Sequence, residues 1–306
     1  MRRKFISILM GLWAGSLWCG CNNGNGKINQ ETPTSGTINI SVDESFKPII
    51  DSQIKVFESS FPDARIVVHY KAEADCFRDL TNDSTRLIIV TRKLNKDEEK
   101  FYENSVHFDP PSGILAYDAI AVIVNGHSAD TIFTMKEIAE LLDGTSKKGL
   151  QVVMDGVSAT STVRYAIDSV LKGRPLGKNV QAARSSEQVL NFVSDNSNAI
   201  GFIGVSWIGD QDDPSQLSFL KKVKVAAISC ETCGGETYVE PYQANIYLKR
   251  YPMTRGVYYI LKENFDGIGN NFVNFLQYER GQLIFRRAYL VPARMSFEVR
   301  DVQMKP

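Results

Sequence analysis

The chain reads as an α/β protein of two lobes, on three observations. From Thr37 onward, strand-like and helix-like stretches alternate, the pattern of largely parallel sheets flanked by helices. One strand-like stretch, ILAYDAIAVIVN, is nearly all apolar in its second half, as a strand buried on both faces is. The 306 residues carry more such elements than one small sheet takes, and the length suits one large or two ordinary domains.

Taken in order, TINISV alternates as a short strand. KPIIDSQIKVFESSF then sets Ile50, Ile54, Phe57 and Phe61 on one helical face, with Pro48 in its first turn. ARIVVHY and RLIIV read as strands and NKDEEKFYEN as an exposed helix. TMKEIAELLDG is a helix with a capping box at Thr134 and Glu137 and a stop at Gly144. LQVVM is a strand, SSEQVLNFVSDN a helix, and AIGFIG and KVKVAAI are strands. The strand GVYYIL and the helical pieces NNFVNFLQY and ERGQLIFRRAYL close the series.

Ahead of these elements, residues 1–20 form a basic start and an apolar run from Phe5 to Trp18. The run is shorter than the roughly 20 residues of a membrane span and reads as a signal peptide. Cys21 follows Gly20 as in a bacterial lipoprotein cleavage site, so the expectation is a lipid on Cys21. Residues 21–36, rich in Gly, Asn, Thr and Pro, then serve as a flexible tether. The protein is expected in the cell envelope, on its extracytoplasmic or periplasmic face. The whole chain has 35 basic and 35 acidic residues. Removing the signal segment, with Arg2, Arg3 and Lys4, leaves a small acidic excess, so a nucleic-acid partner is not expected. Cys230 and Cys233 are expected to form a short disulfide in an oxidising compartment, with Cys76 unpaired and buried. Three scattered histidines give no metal site, and no cofactor is expected.

Ligands of such folds bind beyond the carboxyl ends of strands, where helices begin. Two junctions qualify. In NISVDESFKP, Ser45 and Phe46 offer a hydroxyl and backbone N–H groups. In VVMDGVSATSTVRYAI, Ser158, Thr160, Ser161 and Thr162 crowd ahead of a helix, with Arg164 within a turn. A cap needs one hydroxyl; four donors with an arginine suit an anion cradle.

From Thr37 to Arg294 the order of these segments resembles the phosphate-binding component of bacterial phosphate ABC importers. The resemblance rests on the DESFKP loop, on DAIAVIVNGHSADTIFTMKEIAELLDG, and on the Ser/Thr loop standing where the family has SGT. It continues through NAIGFIG, YPMTRGVYYI and FVNFLQYERGQLIFRRAYLVPAR. It implies a type II periplasmic binding protein with one lobe from 37–117 and 254–306, the other from 118–253, and a ligand cleft between the lobes. It also implies a monomer that encloses phosphate, or another oxyanion, and delivers it to a membrane permease. Ser45, Phe46 and the 158–162 loop would donate to the anion. The register there fits 158–160 or 160–162, with Ser161 and Thr162 preferred because Arg164 and Tyr165 then open the helix.

Two places depart from the family. YKAEADCF replaces a GSG loop, and Thr91 with Arg92 replaces the aspartate that accepts the phosphate's proton. An arginine cannot accept that bond, and Arg92 is expected to reach the anion, its alternative being an ion pair with Asp97 or Glu98. Glu73 is read as a solvated loop charge. These departures leave open another oxyanion, a phosphorylated small molecule, or a structural or interaction lipoprotein that kept the fold. Catalysis is not expected: Asp155, Ser158 and His69 lack a triad's context, and GVSAT is not a nucleophile elbow. Thiol exchange at Cys230 and Cys233 is the sharpest enzyme alternative.

Overall fold

Strand β4, Ser112–Asn125, organises the chain because two sets of strands pair along it. This computed structural model describes residues 31–82, 84–107, 109–156, 159–210 and 212–295. The signal segment, Cys21, most of the tether and Ser158 lie outside the described residues.

The chain begins β1(Gly36–Asp43)–α1(Lys47–Ser60)–β2(Ala64–Lys71)–α2(Glu73–Leu80)–β3(Thr85–Val90)–α3(Lys96–Val106)–β4. After β4 come β5(Ile132–Phe133), α4(Met135–Asp143), β6(Gln151–Met154), α5(Ser161–Tyr165), β7(Val180–Ala182), α6(Ser186–Asp195) and β8(Ala199–Gly204). Then follow α7(Pro214–Leu220), β9(Val223–Val225), β10(Ala227–Ser229), β11(Tyr238–Val239), α8(Gln243–Tyr247), β12(Thr254–Leu261), α9(Ile268–Gln277), α10(Glu279–Arg287) and β13(Val291–Pro292). The main sheet runs β2-β1-β3-β12-β4-β8-β6-β7, with β9 and β13 also on β4. β1 pairs in parallel with β2 and β3, and β6 with β7 and β8. β12 and β4 run antiparallel. A small sheet, β11-β10-β5, stands apart.

β12 and β13 pair along the first part of β4, whereas β8 and β9 pair along its second part. The apolar second half of β4 is buried from Ala119 to Val124, as its composition requires. The core on the β1 side gathers Phe57, Phe61, Phe272 and Phe275, with ring centroids 5.0–5.5 Å from Phe57. Thr134 and Glu137 make the capping box, and Gly144 ends α4 with φ 83°. Helix α2 is the main element unforeseen in the sequence. Glu73 and Asp75 favour its first turn, and Cys76, Phe77 and Leu80 give it a buried side. Cys230 and Cys233 are joined in a disulfide after β10, and Cys76 is free and buried. No described helix is long and apolar enough to cross a membrane.

Phe57 is fully buried among three other rings. Phe57→Ala is expected to cost about 3–5 kcal/mol, the usual range for an emptied aromatic site, read as a lower urea midpoint at an unchanged slope.

Candidate functional site

Strand β1 is buried at its carboxyl end, and Asp43 turns it into the short 3-10 helix Glu44–Phe46. Asp43 Oδ1 accepts from Ser45 N–H at 2.9 Å and from the Ser45 hydroxyl. This is side-chain capping by a short acid. It fixes Ser45 Oγ, fully buried, 3.3 Å from Ser161 Oγ of α5.

The hydroxyl-rich loop after β6 is built around Asp155. Thr160 Oγ1 and Thr162 Oγ1 donate to its two carboxylate oxygens at 3.1 Å each. Thr160 also caps α5 by accepting from Val163 N–H at 3.2 Å, and Ala159 adopts φ 68°. Two of the four loop hydroxyls therefore hold a carboxylate of the chain itself. Ser161, the first helical residue, is left to face Ser45.

Between these loops lies Arg255 of β12, 7% exposed. Its direct partner in the β12–β4 register is Asp118. Nε donates to Asp118 Oδ2 at 2.8 Å, and Nη1 to Ser161 Oγ at 2.9 Å. The guanidinium stands 5.2 Å from the ring of buried Phe46. Among the described residues Nη2 has no hydrogen-bond partner, nor has Asp43 Oδ2. A Cβ at Gly204 would come within 3.1 Å of Ser45 O and 3.2 Å of Arg255 Nη2, so glycine is what lets β8 approach.

Burial pushes the Asp43 and Asp118 carboxyls upward against the attraction of Arg255. Burial, aided by the Asp43 charge, pushes Asp155 up to about 6. Burial pulls Arg255 the other way, yet the charges of Asp118 and Asp43 outweigh it and hold the guanidinium protonated. Glu44 is pushed up to about 7 by burial while accepting from Ser186 N–H and Oγ, at 3.1 and 2.8 Å, at the start of α6.

A second knot lies beside the first. Glu73, 2% exposed, accepts from Thr91 N–H at 2.8 Å, Thr91 Oγ1 at 2.6 Å and Arg164 Nε at 2.6 Å. Arg164 Nη2 donates to Thr91 Oγ1 at 2.6 Å. Burial would raise the Glu73 carboxyl, but bonds to Arg164 and Thr91 hold it below its ordinary value. Ala74 N–H donates to Ala159 O at 3.0 Å. Outside this knot, a cavity of about 300 Å³ opens between Phe77 and Arg92 on one side and Val163, Arg164 and Ile167 on the other.

Ser45, Phe46, Thr160, Ser161, Thr162 and Arg164 are thus gathered at one junction. Two expectations change places. Glu73 is a buried ion-pair partner, not a solvated loop charge. Arg92, expected on the anion, instead grips Glu98 through both arms at 2.7 and 2.8 Å and stacks on Phe77 at 3.6 Å. The Asn95–Glu98 capping box holds Glu98 where Arg92 meets it. Sequence reading missed Asp43, Asp118 and Arg255, and saw Asp155 only as an unsupported triad member. The legible signal was a charge inside each of two apolar strands, Asp118 and Arg255, which a buried pair best explains.

A family model described as a PBP superfamily domain matches residues 28–280. The phosphate-binding protein PstS of Pseudomonas aeruginosa is 20% identical over 267 residues, 78% of this chain and 78% of that one. A substrate-binding protein of Clostridium perfringens, solved with bound phosphate, superposes with a TM-score of 0.68 at 20% identity. That match covers 85% of this chain and 100% of the other. An ABC-type phosphate transport receptor of Vibrio cholerae gives 0.60 at 18% identity, with 84% and 100% covered. The shared architecture is the mixed α/β fold of type II periplasmic binding proteins.

Asp155 binds its proton more tightly in the folded chain, at about 6, than its ordinary value of 3.8. Its stabilising contribution is therefore full in acid and lost as pH rises through about 6. Asp155→Asn is expected to stabilise the protein at pH 7.5 by on the order of 1–3 kcal/mol and to change little at pH 4. Urea denaturation at the two pH values checks the sign.

Proposed function

Because the chain belongs to the PBP superfamily, we propose that it binds inorganic phosphate outside the cytoplasm and delivers it to the permease of an ABC importer. Lobes of 37–117 with 254–306, and of 118–253, would close on the anion, and a lipid on Cys21 would keep a monomer at the membrane. The observation that carries this reading is the buried guanidinium of Arg255, whose Nη2 lacks a partner among the described residues and lies beside the paired hydroxyls of Ser45 and Ser161. A donor set of one guanidinium and neutral hydroxyls suits a small oxyanion. Asp43 Oδ2, also unpartnered among the described residues, supplies an acceptor, the role that position 92 cannot fill. Phosphate carries a P–OH that Asp43 can accept; sulfate does not. Ser45 and Ser161 already touch, so an anion between them requires the loops to part.

The PstS of Pseudomonas aeruginosa and the two solved relatives are named for phosphate binding or phosphate transport, and they support phosphate as the first ligand. One observation favours a second reading, an interaction lipoprotein that kept the fold. The hydroxyls of Ser45, Thr160 and Thr162 are already engaged by Asp43 and Asp155.

Calorimetric titration with phosphate, sulfate and a phosphomonoester, after unfolding and dialysis, tests the proposal. One-to-one phosphate binding, silent sulfate, and a loss of at least about tenfold in Ser161→Ala, as for a lost charge-assisted bond, are expected. Silence with all three ligands favours the second reading.

A further inference from the structure

We propose that closure of the cleft is linked to protons: the closed junction takes up protons on the carboxyls of Glu44 and Asp155, and opening gives them back. The inference rests on the reading of a hinged binding protein and concerns the regulation of that same junction.

What carries it is an imbalance of charge where the two halves meet. The β1 loop brings Asp43 and Glu44, α2 brings Glu73, β4 brings Asp118 and β12 brings Arg255. Opposite them, β6 brings Asp155 and α5 brings Arg164, with Asp168 just beyond it and Glu187 in the first turn of α6. Glu73 and Arg164 neutralise each other at 2.6 Å, and Arg164 Nη1 lies 3.7 Å from Asp168. Arg255 bonds directly to Asp118. Asp43 and Asp155, both buried, then share what remains of that one guanidinium, and the charge of Asp43 raises the proton affinity of Asp155. Glu44 lies next to them, its carboxylate held by Ser186 at the start of α6.

Both carboxyls sit above their ordinary range, by burial first. The charge of Asp43 adds at Asp155, and the charges of Asp155 and Asp43 add at Glu44 against its bonds to Ser186. Parting the loops returns them to water and to ordinary values near 4. The closed form therefore binds more protons than the open form, and acid favours closure. That advantage fades as pH rises through about 6 to 7, the values of Asp155 and Glu44. Each net proton taken up changes the closed-to-open ratio about tenfold per pH unit.

The test is a spin-label distance between exposed positions on the two halves, Lys100→Cys and Ser169→Cys, in phosphate-free buffer at pH 5.5 and pH 8. The closed population is expected to rise at least about tenfold relative to the open one at the lower pH. In the same labelled protein, Asp155→Asn is expected to shrink that dependence and favour closure at pH 8. Distances that match at both pH values in the unsubstituted protein overturn the proposal, whether or not phosphate binds. A pH-dependent distance in a protein that ignores phosphate supports proton-linked closure while removing phosphate as its ligand.

Discussion

The ion pair between Arg255 and Asp118 is the constraint on which the junction depends. Both residues are buried in the main sheet, directly opposite each other in the β12–β4 register. Neither charge tolerates burial alone, and removing one partner of such a pair typically costs several kcal/mol. With Asp118 fixed, further contacts orient the guanidinium. One nitrogen lies on Asp118, another on Ser161, and the plane lies near Phe46. The loops after β1 and β6 are thereby referenced to the centre of the sheet.

Neutral and charged groups divide the remaining work. Asp43 and Asp155 each organise a loop by accepting from nearby hydroxyls, so the Ser/Thr richness of 158–162 is partly a scaffold for an internal carboxylate. The knot of Glu73, Thr91 and Arg164 does a similar job one layer out, tying α2 to the start of α5. It occupies the arginine that the sequence pattern offers to an anion, and leaves Arg255 as the guanidinium proposed for that role.

Much of the fold was legible because hydrophobic periodicity and caps are local. The apolar run of β4, the capping box at Thr134 and Glu137, and the terminal helices α9 and α10 all declare themselves in short windows. The candidate site was legible only in part. Ser45, Ser161 and Thr162 lie at strand-to-helix junctions, where chain order points to them. Arg255 and Asp118 are 137 residues apart, and nothing local says that they meet. Arg92 and Glu73 exchanged expectations for the same reason. Helix α2 was hidden in a segment read as a loop, and its formation buries Glu73. The capping of α3 draws Glu98 to Arg92.

The continuity of β4 has a mechanical consequence. Hydrogen-bond ladders from both parts of the sheet terminate on this one strand, so neither part keeps its central strand if the other frays along it. A boundary near residue 118 therefore separates two surfaces without separating two folding units. Unfolding is expected to spread through β4 as a single cooperative event, and cutting the chain there would leave each fragment with an unpaired sheet edge.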